Sequence, residues 1–282
     1  MSDGWTRYRH GRLLAHERVL LLGWPLKVLL ATGFAGFIAL AAQVAVPLPW
    51  TPVPFSLQPL AVLVTGAYLG RNYGLLAIAL YILAGALGVQ VFADQQSSGL
   101  EVLSGHTAGY VFGFGAAAYL VGWYVERRRA LLDRRWAVGI AAGLGALGVA
   151  SLTSLAWIAL RGGRFESAWS ATQSYLWLFV GLAGLAAVAA VWLLRAARGQ
   201  GWEKLNLFLV MMAATALLHL CGVAVLKPAL GLGWSEAVAL GSTVFLPFDL
   251  VKAALATAAS VLFLPTRSLS PEPTKPTTKV PR

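Results

Sequence analysis

Residues 28–70 read VLLATGFAGFIALAAQVAVPLPWTPVPFSLQPLAVLVTGAYLG, a run of 43 residues without one charged side chain. A single helix of that length would reach about 65 Å, roughly twice the thickness of the hydrocarbon core of a bilayer. Four prolines between positions 47 and 54 cannot sit together inside one helix. The run therefore predicts a first helix near 27–46, an irregular proline-rich loop and a second helix near 56–70.

The rest of the chain has the same apolar character. Of its 282 residues, 58% are hydrophobic and only 12% are charged, about half the charged share of an ordinary soluble domain. This composition excludes a soluble protein and predicts an all-α, polytopic integral membrane protein. Five further charge-free runs, each longer than the ~18 residues that mark a membrane span, and a last apolar run that contains two charged residues raise the total to eight predicted transmembrane helices. The remaining six lie near 74–92, 107–125, 136–160, 173–195, 205–226 and 242–264.

The basic residues orient these helices. Eight spans put both termini on the same side of the membrane; with the N-terminus inside, the inner segments hold 18 Lys and Arg against 3 in the outer loops. Such an excess marks the cytoplasmic side, so we expect a multi-pass protein of the cell membrane with both termini cytoplasmic. The same split explains the net charge of +11 without nucleic acid as a partner. Residues 1–26 are interpreted as a cytoplasmic arm and 265–282 as a disordered cytoplasmic tail.

Asp249 and Lys252 lie inside the last predicted span. Charge within the hydrocarbon region costs at least ~2.5–3.5 kcal/mol per residue, so an intramembrane charge suggests a functional site. Their i,i+3 spacing puts both side chains on one helix face. Pro247 suits the first turn of the helix, which locates the pair near the outer end. Two interpretations remain open: the two charges neutralise each other, or they bind a ligand that has an anionic and a hydrogen-bonding end.

Other polar residues could line the same site. Gln58 follows the proline-rich loop and offers two donors and an acceptor, although it could equally fix the loop itself. The outer loop at 93–110 contains Ser98 among many small hydrogen-bonding residues and ends at Tyr110; such a loop can close over a pocket as a lid. His219 is interpreted as a hydrogen-bonded packing residue. No metal-ligand spacing and no phosphate-binding loop occur in the sequence, so neither a metal nor a cofactor is expected.

The first predicted helix carries a ridge of small residues. Ala31, Ala35 and Ala39 recur every four residues, and small residues let another helix approach closely within lipid. The ridge could serve contact with another subunit or ordinary packing within the chain.

Several of these stretches, taken together, resemble the BioY family, the biotin-specific substrate-binding (S) components of energy-coupling-factor (ECF) transporters. They occur in the family's order: a proline-rich loop ending in Leu-Gln, a helix that begins at Gly-Tyr, and a helix with Asp-x-x-Lys. The matching segments are VPLPWTPVPFSLQPLAVLVTGAYLG at 46–70, ALYILAGALGVQVFA at 79–93, SGHTAGYVFGFGAAAYLVG at 104–122, LLHLCGVAVLKPALG at 217–231 and FLPFDLVKAALATAAS at 245–260.

The resemblance implies a six-helix vitamin-binding S-component core, here at 27–264, with 127–204 as an inserted two-helix hairpin. It makes Asp249 and Lys252 ligands of biotin, with Gln58, Ser98 and Tyr110 as further substrate-binding candidates. It also implies that Ala31, Ala35 and Ala39 dock on a transmembrane coupling subunit, and that ATPase subunits supply the energy.

The expected function is therefore biotin uptake rather than catalysis. Two alternatives stay open: an S component for another small vitamin or precursor, and an intramembrane enzyme that uses Asp249 or His219. Since His219 is interpreted as a packing residue, the sequence alone predicts near-normal biotin binding for His219→Gln.

Overall fold

The structure, a computed structural model, describes residues 23–48, 50–93, 99–127 and 202–263. These segments are almost entirely helical. In chain order the elements are α1 Trp24–Gln43, β1 Ala45–Val46, β2 Phe55–Ser56, α2 Gln58–Ala86, α3 Gly99–Ser104, α4 Ala108–Arg127, α5 Trp202–Leu230, α6 Trp234–Gly241, a 3₁₀ turn Thr243–Phe245, and α7 Leu246–Phe263. The two short strands pair antiparallel and close the base of the proline-rich loop.

Five helical stretches in the described part are long and apolar enough to cross a membrane. The protein is thus a multi-pass helical membrane protein, in agreement with the prediction. The expected total of eight spans is not reached in this part of the chain. The helices predicted at 136–160 and 173–195, and almost all of the proposed insertion at 127–204, lie outside the described residues. The same holds for residues 1–22 of the arm expected at 1–26 and for the tail expected at 265–282.

Several predicted helix boundaries were wrong. Helix α1 already begins at Trp24, within the arm expected at 1–26, and α5 ends at Leu230 rather than near residue 226. The first helix ends at Gln43 rather than at residue 46, because the chain enters β1 at Ala45. The helix predicted over 74–92 ends at Ala86, since Gly88 adopts a left-handed conformation with φ 92°, which L side chains rarely tolerate. The helix predicted over 242–264 begins only at Leu246, because the chain first forms the 3₁₀ turn after α6.

Helix α2 reverses direction at Gly70, where φ is 73° and ψ is −177°, a combination open essentially to glycine. A methyl group added to Gly74 would lie 3.3 Å from the Cα of Gly66. In a straight helix, residues eight apart would be separated by about 12 Å. The arms 58–69 and 71–86 therefore form a tight antiparallel hairpin, and the predicted break between residues 70 and 74 is confirmed.

Helix α4 packs between α2 and α5 through glycines. A methyl group at Gly66 would overlap the carbonyl oxygen of Ala118, and one at Gly109 would overlap the carbonyl oxygen of Cys221. At the far end of α4, Gly122 lies directly against the backbone of Arg71. Small residues let helix backbones approach this closely where no water drives association. The contacts of α4 thus hold the bundle together along its whole length.

The predicted alanine ridge of α1 faces inward. Ala31 is fully buried and Ala35 is 8% exposed. Ile38 and Ala42, on the same helix face, are also fully buried. Ala39 is half-buried at the edge of an open surface groove. This burial favours packing within the chain for Ala31 and Ala35, whereas docking on a coupling subunit stays a prediction for all three alanines.

Candidate functional site

A cavity opens at the end of the bundle opposite the Gly70 hairpin, where both α2 and α4 begin. The space inside it that a water molecule can reach is about 70 Å³, within a wider recess of about 650 Å³ that includes solvent at the open mouth. Aromatic side chains form much of its wall, among them Phe92, Phe114 and Phe245. The polar groups that line it are Ser56, Gln58, Tyr81, Thr107, Tyr110, His219, Asp249 and Lys252. The structure thus brings four of the five predicted substrate-binding residues into one cavity; the fifth, Ser98, lies outside the described residues.

Asp249 and Lys252 form the charged part of the cavity. Both sit near the start of α7 and are buried, at 2% and 4% exposure. Lys252 Nζ lies 3.4 Å from Asp249 Oδ1 and 4.3 Å from the centre of the Phe55 ring, which attracts the ammonium through its π face. The two charges are thus partnered with each other and also line a cavity, so the two sequence interpretations are not exclusive.

His219 completes this charged cluster, which the sequence did not predict. Its Nε2 lies 2.7 Å from Asp249 Oδ2, and its Nδ1 lies 3.0 Å from the carbonyl oxygen of Gly241. The ring stacks on Phe245 at 5.9 Å and meets the Tyr110 ring edge-on. His219 is therefore hydrogen-bonded, as expected, but its partner is the candidate ligand Asp249.

Tyr110 supports the cluster through the backbone. Its hydroxyl donates a 2.7 Å hydrogen bond to the carbonyl oxygen of Gly241, the same oxygen that His219 contacts. Its ring lies against Gly222, where any side chain would collide with it. The ring of Tyr110 thus lines the cavity, while its hydroxyl is engaged by the last turn of α6.

Uncharged polar side chains form a second cluster in the cavity wall, centred on Gln58. The Gln58 amide nitrogen donates to the hydroxyl of Tyr81, and the Ser56 hydroxyl donates to the Gln58 amide oxygen at 3.2 Å. Tyr81 is 1% exposed and packs edge-on against Phe92 at 5.3 Å. Because the Tyr81 oxygen accepts from Gln58, its own proton is available to a ligand. The sequence analysis did not identify Tyr81, because nothing in the helical pattern shows where its hydroxyl group lies.

The rim of the cavity is tied down by the proline-rich loop. Thr51 donates to the carbonyl oxygen of Leu240 at 2.7 Å, and His106 Nε2 lies 3.2 Å from the carbonyl oxygen of Pro52. The loop continues through Val53 and Pro54, which line the cavity. These contacts join the loop to α6 and to the segment before α4, while residues 94–98 of the predicted lid lie outside the described part.

This arrangement is suited to holding a small polar molecule. It offers a cation, a carboxylate and two neutral hydrogen-bonding groups within an aromatic wall, the usual make-up of a small-molecule pocket. Among the described residues, no group of three His, Cys, Asp or Glu side chains could hold a metal ion.

Comparison with known proteins adds independent findings. The model of the BioY family matches residues 18–201 and 172–268. The chain is 39% identical over 116 residues to the biotin transporter BioY of Thermotoga maritima, covering 41% of this chain and 64% of that protein. It is 37% identical over 130 residues to the biotin transporter BioY of Rhodobacter capsulatus, covering 46% of this chain and 60% of the relative. The match thus spans less than two thirds of either relative.

A solved structure shares the fold. The crystal structure of the S-component for biotin from an ECF-type ABC transporter aligns with a TM-score of 0.51, covering 85% of this chain and 92% of that one at 14% identity. At this identity the likeness concerns the fold alone. The family model covers most of the chain, including the cavity-forming helices and the Asp-x-x-Lys segment. The chain belongs to the BioY family.

Proposed function

We propose that this protein binds biotin within the cell membrane and takes part in its uptake, as the substrate-binding component of a vitamin transporter. The observation that carries the proposal is the cavity, which holds the buried Asp249–Lys252 pair together with the uncharged Gln58–Tyr81 pair. Charged side chains within a membrane protein usually pair with one another or belong to a functional site. A molecule with a carboxylate at one end and a cyclic urea at the other fits this set of groups.

The residues can be matched to the two ends of biotin. The Lys252 ammonium has three donors, and its contact with Asp249 uses one of them. The others are available to the valerate carboxylate or the ureido oxygen. Asp249 and the Gln58 amide oxygen can accept ureido N–H bonds, while Tyr81 can donate to the ureido oxygen. Tyr110 and the other aromatic rings supply apolar contact for the bicyclic body.

The charges at the two ends of the bundle support an outward-facing cavity. Lys27, Arg71 and Arg127 lie at the end that holds the Gly70 hairpin, opposite the cavity. Basic residues accumulate on the cytoplasmic side, so the cavity opens outward and both termini lie in the cytoplasm. Transport then requires a transmembrane coupling subunit and ATPase subunits as partners, and this chain itself performs no catalysis and uses no cofactor.

Two other functions compete with this one. An S component for a different small vitamin would use the same cavity, and competition by unlabelled biotin in a radiolabelled uptake assay separates the two. An intramembrane enzyme would use Asp249 or His219 as an acid or base and would convert its ligand. Recovery of unchanged biotin after incubation with the protein contradicts the enzyme.

Calorimetry of the purified full chain with biotin tests the proposal. Lys252→Met removes the ammonium. We expect the dissociation constant of biotin from this variant to be at least about tenfold higher than from the parent protein, the scale of a charged hydrogen bond. Lys227→Met is the matched control, since Lys227 sits over the Trp234 ring and does not line the cavity; its affinity should equal that of the parent protein. Absence of biotin binding by the parent protein, or equal affinities for all three proteins, would contradict the proposal.

A further inference from the structure

Both ring nitrogens of His219 face hydrogen-bond acceptors. Nε2 lies 2.7 Å from a carboxylate oxygen of Asp249, and Nδ1 lies 3.0 Å from the carbonyl oxygen of Gly241. A neutral imidazole carries one N–H, so one of its nitrogens would direct a lone pair at an acceptor oxygen. Only a ring with a proton on each nitrogen donates to both partners.

The alternative is a neutral Asp249 that donates its own proton to His219. The second oxygen of that carboxyl group, however, lies 3.4 Å from the ammonium of Lys252. A cation at this distance favours the ionised carboxylate. The Asp249 carboxylate thus has a donor on each oxygen, and the contacts are satisfied when the shared proton belongs to the imidazole.

We propose that His219 is a protonated positioning residue, whose imidazolium holds Asp249 and gives the cluster a net positive charge. Three groups then carry charge: Asp249 and Lys252 from α7, and His219 from α5. The other titratable group that faces His219 is Tyr110 from α4, while α6 contributes the Gly241 carbonyl and the 3₁₀ turn contributes Phe245. One carboxylate thus opposes two cations.

The excess positive charge has a consequence for ligand binding. An uncompensated buried charge is costly, and an anionic ligand at Lys252 removes the imbalance. Because His219 occupies one oxygen of Asp249, the carboxylate does not fully neutralise Lys252. This inference rests on the proposed function: the anion is the carboxylate of biotin, and the site favours it when His219 is protonated. The proposal therefore predicts a weaker affinity for His219→Gln, whereas the sequence alone predicted near-normal binding.

Nitrogen NMR of the ligand-free protein tests the protonation directly. The chain has four histidines, so with ¹⁵N-labelled histidine the signals of His219 are those absent from the His219→Gln spectrum. We expect two protonated ring nitrogens at pH 6.5. A nitrogen with the shift of an unprotonated, pyridine-like position would overturn the proposal.

The pH dependence of biotin affinity tests the consequence. The carboxylate of biotin stays ionised at neutral pH, so loss of the positive charge beside Asp249 should weaken binding by about tenfold. His219→Gln keeps an amide donor but no charge, and its affinity should be lower at pH 6 and independent of pH. The control Lys227→Met, which removes a cation outside the cavity lining, should keep the parent profile. Biotinamide, which lacks the negative charge, should show little pH dependence with the parent protein.

The outcomes separate this inference from the proposed function. If His219→Gln lowers affinity equally at every pH and keeps the parent slope, the residue is merely structural and the inference fails. If biotin binds independently of pH while the NMR shows a neutral ring, the inference fails and biotin binding stands. If the ring is doubly protonated but biotin does not bind, the proton assignment is supported and the proposed function fails.

Discussion

The two ends of the helix bundle are built on opposite principles. At the end that contains Gly70, backbones touch: Gly66 lies against Ala118 and Gly122 against Arg71, with no space for even a methyl group. At the other end Phe92, Phe114 and Tyr81 line a cavity, although Gly109 of α4 still lies against the carbonyl oxygen of Cys221 in α5. The first end gains stability from close packing, whereas the second gives up packing to keep polar groups accessible. The cavity thus lies at the end opposite the close contact between α2 and α4, while α4 and α5 stay in contact beside it.

The difference predicts which substitutions act through folding and which act through the ligand. Changes at the cavity end remove charges whose partners are buried, so their effect depends on what remains behind. At the packed end, a larger side chain in place of a buried glycine would force two helix backbones apart. Substitution of an exposed residue there should change the stability little.

The largest effect is expected from Asp249→Asn. Its removal leaves Lys252 and His219 without the carboxylate that both contact, and breaking a buried pair in this way costs about 3–5 kcal/mol. Lys252→Met should cost less, because Asp249 keeps its 2.7 Å contact with His219. Thermal unfolding of the ligand-free protein in detergent measures both variants. A larger loss of stability for Lys252→Met would contradict the described arrangement of the cluster.

Gly66→Val should destabilise the protein by roughly 1–3 kcal/mol, the usual cost of overpacking. The new side chain would meet backbone atoms of Ala118, which cannot rotate away. Gly33→Val is the matched control, because a methyl group there has no neighbour within 4 Å. Unfolding temperatures of the two variants give the comparison. Equal stability of the two variants would show that α2 and α4 are not in the close contact described.

Glu126→Gln should have the smallest effect, about 0–1 kcal/mol. The Glu126 carboxylate accepts from the backbone N–H of Arg71 at 2.9 Å and pairs with the Arg71 guanidinium at 3.1 Å, but both side chains are about 40% exposed. An amide oxygen can still accept the backbone bond, and salt screens the lost charge. Unfolding at low and high salt should show a small difference that disappears at high salt, with biotin affinity unchanged. A loss of affinity would mean that the hairpin end communicates with the cavity.

The sequence predicted the parts of the fold that depend on local chemistry. The prolines around 47–54 broke the first apolar run, and the charge-free run ended at Gly70, where the chain turns. The i,i+3 spacing correctly put Asp249 and Lys252 on one helix face, because that geometry is set within a single turn. Membrane character followed from composition alone.

Contacts between distant segments could not be predicted in the same way. His219 meets Asp249 across 30 residues, and Tyr81 meets Gln58 across 23. Neither pair is linked by helical periodicity. The alanine ridge shows the same limit: a spacing of four residues defines a face of α1, but it does not say whether that face meets the protein's own helices or another subunit.

The short helix α6 ends at Gly241, so the carbonyl groups of Leu240 and Gly241 lie at a helix terminus. Such terminal carbonyls need donors from elsewhere. The Leu240 oxygen accepts a hydrogen bond from the Thr51 hydroxyl, and the Gly241 oxygen is contacted by the Tyr110 hydroxyl and by Nδ1 of His219. The proline-rich loop, α4 and α5 are thereby all bonded to the end of this eight-residue helix. A shift of α6 by a single ångström would strain all three attachments together, so the positions of Thr51, Tyr110 and His219 are coupled through this helix.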